Sequence, residues 1–225
     1  NMVTVSEHTM MMILALSKNV FYYDEFTRKG DWSTRWNNKS WDLAGKKILV
    51  VGFGRIGSRV AKRAQAFDMD VLVYDPYVNK NLVYEAGAKS VDNIQDTLSE
   101  IDVVTIHCPR NEETENTFSS QAFNKMKKTS YIVNCARGGI INENDLYEAL
   151  KNNFISGAGL DVFDIEPTPL TNKILSLKNV ILSPHIAGVT VEATIRMSTE
   201  SVQNVLDVFD KKINKNVIVN KEIFG

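Results

Sequence analysis

The sequence has few cysteines and no long apolar run, and each shortage excludes a class of protein. Two cysteines in 225 residues cannot form the disulfide framework of a small secreted domain. The longest uninterrupted apolar run, at positions 10–16, has seven residues, far below the roughly 18 that suggest a transmembrane helix. We therefore expect no membrane partner. Since no secretory signal is recognisable either, we expect a cytoplasmic protein.

The net charge is small, and potential metal ligands are few. The 26 basic residues nearly balance the 27 acidic ones, so the net charge is −1 and no broad attraction to nucleic acid is expected. The three histidines and two cysteines lack the spacings of known metal-binding motifs, so no metal site is predicted. The expected partner is therefore a small molecule.

The most informative stretch is residues 50–75, VVGFGRIGSRVAKRAQAFDMDVLVYD, in which an apolar run enters a glycine-spaced turn. Gly52 allows a sharp turn, Gly54 allows the backbone to approach a pyrophosphate, and Gly57 allows helix and strand to pack closely. Asp75 follows 18 residues after Gly57, where it is expected to accept hydrogen bonds from a ribose and to repel a 2′-phosphate. The stretch predicts a βαβ unit that binds NAD rather than NADP.

From residue 46 onward, strand-like and helical patterns alternate, which predicts an α/β Rossmann fold with a doubly wound parallel sheet. The strand-like runs cover positions 48–51, 71–74, 88–91, 103–108, 131–134, 157–160 and 180–182. The helical patterns between them cover 80–86, 94–100, 121–127 and 143–151, and Asn142 is expected to cap the last.

The chain is predicted to have three parts, with one segment on each side of the nucleotide-binding domain. Residues 1–45 contain a buried helix, predicted to start at a capping box in 4–7, and an irregular arm at 21–43 with three tryptophans. The arm is expected either to form a homodimer interface or to cover the chain's own domain. Residues 46–188 form the predicted nucleotide-binding domain. Residues 189–225 contain a predicted helix at 191–209 and a short strand at 217–219 with no evident partner.

Ligands of a doubly wound sheet lie beyond the carboxyl ends of its strands, so polar residues that follow the apolar runs are the candidates for chemistry. Arg137, Glu166 and His185 lie at or near such positions. A histidine is a suitable base for a hydroxyl proton, a carboxylate orients it, and an arginine binds a substrate carboxylate. Taken alone, each residue also has a structural interpretation: Arg137 as part of a surface ion pair, Glu166 as a solvated loop acid and His185 as a helix-entry residue. His8 and His107 are interpreted as packing residues.

Five segments in series resemble the D-isomer-specific 2-hydroxyacid dehydrogenase family: SEHTMMMILAL, LAGKKILVVGFGRIG, NCARGGIINENDL, GAGLDVFDIEP and LSPHIAG. The resemblance implies that Arg137 binds and polarises the substrate, that Glu166 partners the histidine and that His185 is the acid and base. It also implies that the following residues contact NAD: Gly52, Gly54, Arg55, Ile56, Gly57, Asp75, Cys108, Pro109, Cys135, Ala136, Arg137, Asp161, His185 and Gly188.

Members of that family carry about a hundred further residues upstream, which form most of a substrate domain. We therefore expect this chain to be a fragment with only a remnant of that domain, poorly active alone, with 217–219 as its orphan strand. Phosphoglycerate-like and hydroxypyruvate- or glyoxylate-like acids both remain open as substrates. Two alternatives are an NAD-binding protein of the corepressor type that resembles this family, and a pure dinucleotide-binding module without turnover.

Overall fold

The computed structural model describes residues 1–220 and residue 222. Within them, seven strands form one parallel sheet: β1 (Lys47–Val51), β2 (Asp70–Tyr74), β3 (Lys89–Ser90), β4 (Val103–Ile106), β5 (Tyr131–Asn134), β6 (Gly157–Leu160) and β7 (Val180–Leu182). Their order across the sheet is β3-β2-β1-β4-β5-β6-β7. The order reverses direction between β1 and β4, and this is the position at which a doubly wound sheet opens a ligand crevice. The predicted fold class is confirmed.

Eight α-helices accompany the sheet in the described residues: α1 (Met2–Ser17), α2 (Val20–Arg28), α3 (Gly57–Ala66), α4 (Lys80–Glu85), α5 (Ile94–Thr97), α6 (Ser120–Lys125), α7 (Glu143–Lys151) and α8 (Val191–Phe209). Short 3-10 helices cover Trp32–Trp36, Leu98–Glu100, Lys173–Ser176 and Lys215–Val217. The predicted cap of α7 is confirmed, because the Asn142 side chain accepts a hydrogen bond from the Asp145 backbone N–H. None of these helices combines the length and hydropathy needed to cross a bilayer.

The central strands are apolar on both faces because helices cover both sides of the sheet. In β1, Leu49 and Val51 point into one hydrophobic core, whereas Ile48 and Val50 point into the other. All four side chains are at most 3% exposed. This arrangement explains why the strands appear in the sequence as continuous apolar runs without alternation.

Helix α1 is buried as predicted, but it begins earlier than the sequence suggested. The expected capping box lies inside the helix, where the Ser6 hydroxyl donates to the Val3 carbonyl at 2.6 Å instead of capping a free N–H. Met12 is fully buried, and a Cβ added to Gly159 of β6 would lie 3.0 Å from its sulfur. Helix α1 therefore packs directly on the sheet through a glycine that leaves room for it.

The segment 21–43 is more regular than predicted. Helix α2 and the 3-10 helix Trp32–Trp36 occupy much of it. Trp41 stacks on Tyr131 of β5 with ring centroids 5.5 Å apart, so this tryptophan covers the chain's own domain. Trp32 and Trp36 are 68% and 70% exposed. Trp41 thus packs inward, whereas Trp32 and Trp36 face outward.

No strand forms at 217–219 in the described residues, and the pairing of this run with a substrate domain stays a prediction. The 3-10 helix Lys215–Val217 occupies its start, and Val219 is 97% exposed. A three-residue apolar run needs a neighbouring strand to satisfy its backbone, and no strand pairs with it in the described residues. Helix α8 ends at the predicted residue. Its apolar stripe is formed by Ile195, Val202, Val205, Leu206 and Phe209, and each of these side chains is at least 50% exposed.

Candidate active site

A groove runs along the carboxyl ends of the strands and has two parts. The wide pocket, about 590 Å³, is lined by nine of the predicted site residues: Ile56, Cys108, Pro109, Cys135, Ala136, Arg137, Asp161, His185 and Gly188. The narrow pocket, about 250 Å³, is lined by Gly52, Gly54, Asp75, Cys108 and Pro109. The structure therefore brings most of the predicted residues together. Arg55, Gly57 and Glu166 line neither pocket.

The three glycines of the turn differ in what surrounds them. Gly52 has a φ of 94°, and a Cβ there would lie 2.7 Å from the Cys108 backbone nitrogen. A Cβ on Gly57 would lie 1.9 Å from the Gly52 carbonyl oxygen, so Gly57 allows α3 to pack on the strand end. A Cβ on Gly54 would meet no protein atom within 4 Å. Gly54 thus faces open space at the edge of the narrow pocket.

The turn and the end of β2 carry the donors and acceptors that a dinucleotide needs. Helix α3 starts after Ile56 without a side-chain cap, so the positive end of its dipole is open to an anion. The N–H groups of Ser58 and Arg59 donate to the Gly54 and Ile56 carbonyls at 3.1 and 2.9 Å. The Asp75 carboxylate accepts hydrogen bonds from the backbone N–H groups of Phe53 and Tyr77 at 2.8 and 2.9 Å. Each of its oxygens keeps a further lone pair for a ribose hydroxyl. These residues fit NAD.

At the other end of the groove, His185 and Glu166 form a hydrogen-bonded pair, with Nδ1 and Oε2 2.6 Å apart. An ionised carboxylate only accepts, so the imidazole carries its proton on Nδ1 and leaves Nε2 free. Burial alone would raise the pKa of Glu166, but the hydrogen bonds from His185 and from the Phe163 N–H lower it. The positive charge of Arg137 lowers this pKa further, so the three predicted catalytic groups share one electrostatic environment.

His185 has a left-handed backbone, with a φ of 55°, and Asp161 stabilises it. The His185 N–H donates to the Asp161 carbonyl at 2.8 Å. The buried Asp161 carboxylate accepts from the N–H groups of Ile186 and Ala187 at 2.9 and 2.8 Å and from the Ser183 hydroxyl. Asp161 therefore orders the loop that carries His185. His8 joins this network through a 3.0 Å hydrogen bond to Ser183.

Arg137 projects from a turn that Asn134 holds from within. The buried Asn134 amide accepts from the Ala136 N–H at 3.0 Å and donates to the Arg137 carbonyl at 2.9 Å. The Arg137 guanidinium is exposed to the wide pocket, where it donates to the Ala136 carbonyl at 2.6 Å. Sequence reasoning missed Asn134 because it is the last residue of β5 and was counted with the strand.

His107 and Cys108 are half-buried, Cys135 is buried, and all three side chains stay uncharged at neutral pH. Burial lowers the pKa of His107 to about 3, and its Nε2 lies 2.9 Å from the Thr105 hydroxyl. Its Nδ1 is buried without a hydrogen-bond partner among the described residues. Burial raises the pKa of Cys108 to about 11 and that of Cys135 to about 12. Neither thiol is a nucleophile at neutral pH.

Comparison with known sequences identifies the family. The profile of the D-isomer specific 2-hydroxyacid dehydrogenase, NAD binding domain, matches residues 10–187. The chain belongs to this family. The resemblance found in the sequence is confirmed, and the matched residues are the NAD-binding domain of this family.

Curated relatives and solved structures agree with the assignment. The chain is 39% identical to D-3-phosphoglycerate dehydrogenase of Methanocaldococcus jannaschii over 96% of this chain and 41% of the relative. It is 34% identical to glyoxylate reductase of Korarchaeum cryptofilum over 98% of this chain and 67% of the relative. D-lactate dehydrogenase of Aquifex aeolicus, complexed with NAD and lactic acid, superposes with a TM-score of 0.86 at 32% identity, covering 94% and 68% of the two chains. The chain thus spans about two fifths to two thirds of these proteins.

Proposed function

We propose that the protein is an NAD-dependent dehydrogenase that interconverts a D-2-hydroxy acid and the corresponding 2-keto acid. The observation that carries the proposal is the hydrogen bond between Glu166 and His185, because His185 lines the wide pocket together with Arg137. The substrate class, phosphoglycerate-like or glyoxylate-like, follows the two kinds of curated relative.

The three side chains have distinct roles in this proposal. His185 accepts the substrate hydroxyl proton on Nε2, and in the reverse direction it begins protonated and returns that proton to the keto oxygen. Glu166 fixes the ring with Nδ1 protonated and stabilises the imidazolium. Arg137 binds the substrate carboxylate through two parallel hydrogen bonds and polarises the carbonyl. When bound, NAD supplies the acceptor for the hydride from C2.

The cofactor contacts are proposed residue by residue from the groove. The turn at Gly52, Gly54 and Gly57, with Arg55 and Ile56, takes the pyrophosphate at the start of α3. Asp75 takes the adenosine ribose. The remaining proposed contacts lie along the walls towards the catalytic pair: Cys108, Pro109, Cys135, Ala136, Asp161 and Gly188.

We further propose the domain division 1–45, 46–188 and 189–225. The last part is a hinge helix with a remnant of the substrate domain, and the exposed apolar stripe of α8 supports it.

A homodimer through the arm at 21–43 is supported by the outward-facing Trp32 and Trp36. Sedimentation velocity tests the dimer: Trp32→Ser with Trp36→Ser should yield monomer, whereas Tyr84→Ser, a matched exposed aromatic on α4, should not. A cytoplasmic location is supported by two free thiols.

The activity is tested on the full-length protein with NADH and a panel of 2-keto acids, glyoxylate and hydroxypyruvate among them. We expect turnover of at least one keto acid, and we expect His185→Gln to abolish turnover in a variant that still binds NADH. NADH binding without turnover of any acid would instead favour the corepressor-like or pure binding role.

A further inference from the structure

Two loops meet at the narrow pocket through a contact between side chains that lie 36 positions apart in the sequence. The Tyr77 hydroxyl, on the loop after β2, donates a hydrogen bond to Oε2 of Glu113, on the loop after β4. Both residues line the narrow pocket together with Asp75. Neither residue directly follows a strand, so neither is among the candidates predicted from the strand ends.

The backbone at both ends of this contact is anchored. The Tyr77 N–H donates to Oδ1 of Asp75 at 2.9 Å, so the loop after β2 is tied to the acid at the strand end. The Glu113 N–H donates to Oδ1 of Asn111 at 3.1 Å, and the same oxygen accepts from the Thr114 N–H at 3.0 Å. The carboxylate of Glu113 is therefore held at the pocket by its own turn and by Tyr77.

The charge of the narrow pocket is negative. Its lining contains two carboxylates, from Asp75 and Glu113, and no lysine or arginine. The basic groups near these loops in sequence have other partners: Lys80 pairs with Asp92, and Arg110 pairs with Glu115. Arg55, on the glycine turn, lines neither pocket. A phosphate group placed here would meet two negative charges and no lining cation.

We propose that Glu113, positioned by Tyr77, is a second determinant of cofactor choice that acts with Asp75 to disfavour a 2′-phosphorylated dinucleotide. The inference rests on the proposed cofactor site. An uncharged ribose hydroxyl is not repelled by Glu113, whereas a phosphate near the carboxylate is, so the residue discriminates without contributing to NAD affinity. Tyr77 acts through Glu113 and is a positioning residue.

The test measures dissociation constants for NADH and NADPH by nicotinamide fluorescence on the full-length protein at low and at high salt. For Glu113→Gln we expect the NADPH-to-NADH ratio of dissociation constants to fall about fivefold at low salt, with NADH binding unchanged. High salt should shrink the difference, because screening weakens the repulsion. Tyr77→Phe keeps the charge of Glu113 but removes the hydrogen bond that positions it. The NADPH-to-NADH ratio of dissociation constants should therefore fall less in Tyr77→Phe than in Glu113→Gln.

Glu112→Gln is the matched control, because it removes the same charge from the adjacent exposed residue, which does not line the pocket. An unchanged ratio in Glu113→Gln with intact NADH binding would overturn the inference and leave the proposed function standing. An equal fall in both variants would also overturn it, since the effect would then be one of net charge. Failure of the unaltered protein to bind NADH would instead refute the proposed cofactor site.

Discussion

Gly54 and Gly57 lie three residues apart on the same turn, yet alanine at the two positions should have opposite consequences. At Gly54 the added Cβ meets no protein atom within 4 Å, and the backbone is outside the left-handed region, so alanine fits without strain. We expect the free energy of unfolding of Gly54→Ala to stay within about 0.5 kcal/mol of the unaltered protein. The methyl group should instead fill the space proposed for the pyrophosphate.

The size of the binding defect follows from the contact that is lost. A charge-assisted hydrogen bond from a backbone N–H to a phosphate contributes about 1.5 to 3 kcal/mol, and about 1.4 kcal/mol corresponds to a factor of ten. Gly54→Ala should therefore weaken NADH binding roughly 10- to 100-fold. Isothermal titration with NADH measures this loss, and thermal unfolding without cofactor confirms that the variant folds normally.

Gly57→Ala is the matched comparison. Its Cβ would lie 1.9 Å from the Gly52 carbonyl oxygen and 3.2 Å from a Val50 methyl, so backbone has to move. Overpacking of this kind costs about 1 to 3 kcal/mol, which lowers the melting temperature by roughly 2 to 12 °C in a chain of this size. If Gly54→Ala bound NADH normally, or if it were the less stable of the two variants, the assignment of these glycines would be wrong.

Three further predictions concern buried and catalytic groups. The pKa of His107 in the folded protein, about 3, is below the ordinary value near 6.5, so the contribution of this histidine to stability is present above pH 6.5 and is lost as pH falls. Between pH 7 and pH 5, the free energy of unfolding measured with urea should fall by roughly 2 kcal/mol more in the unaltered protein than in His107→Gln. An equal fall in the two proteins would contradict this prediction. Cys108 and Cys135 should react with iodoacetamide at pH 8 far more slowly in the native than in the unfolded protein, as mass spectrometry can determine. Glu166→Gln should lower kcat about 10²- to 10⁴-fold with unchanged NADH affinity, and an unaltered kcat would remove Glu166 from the catalytic pair.

Local sequence determined most of the sheet and its helices. The strands at 131–134, 157–160 and 180–182 and the helices at 143–151 and 191–209 have the predicted bounds, because turn residues and caps flank each run. The arm at 21–43 was harder to predict, since Trp41 is shielded by Tyr131, which is 90 positions away. The run at 217–219 has apolar residues suited to a strand, but a strand also requires a paired neighbour, and that depends on tertiary context.

In the candidate site, the sequence predicted where Asp161 lies in the sheet but not which hydrogen bonds its side chain makes. The end of β6 placed Asp161 at the ligand edge of the sheet, and the family resemblance implied a cofactor contact. In the structure its carboxylate accepts two loop N–H groups and the Ser183 hydroxyl, which supports the strained backbone of His185. The sequence predicts that a carboxylate lies at the carboxyl ends of the strands, but it does not predict which protein donors that carboxylate binds. Asp161 and Asn134 therefore orient the loops of His185 and Arg137, so the two proposed catalytic side chains depend on these buried hydrogen bonds.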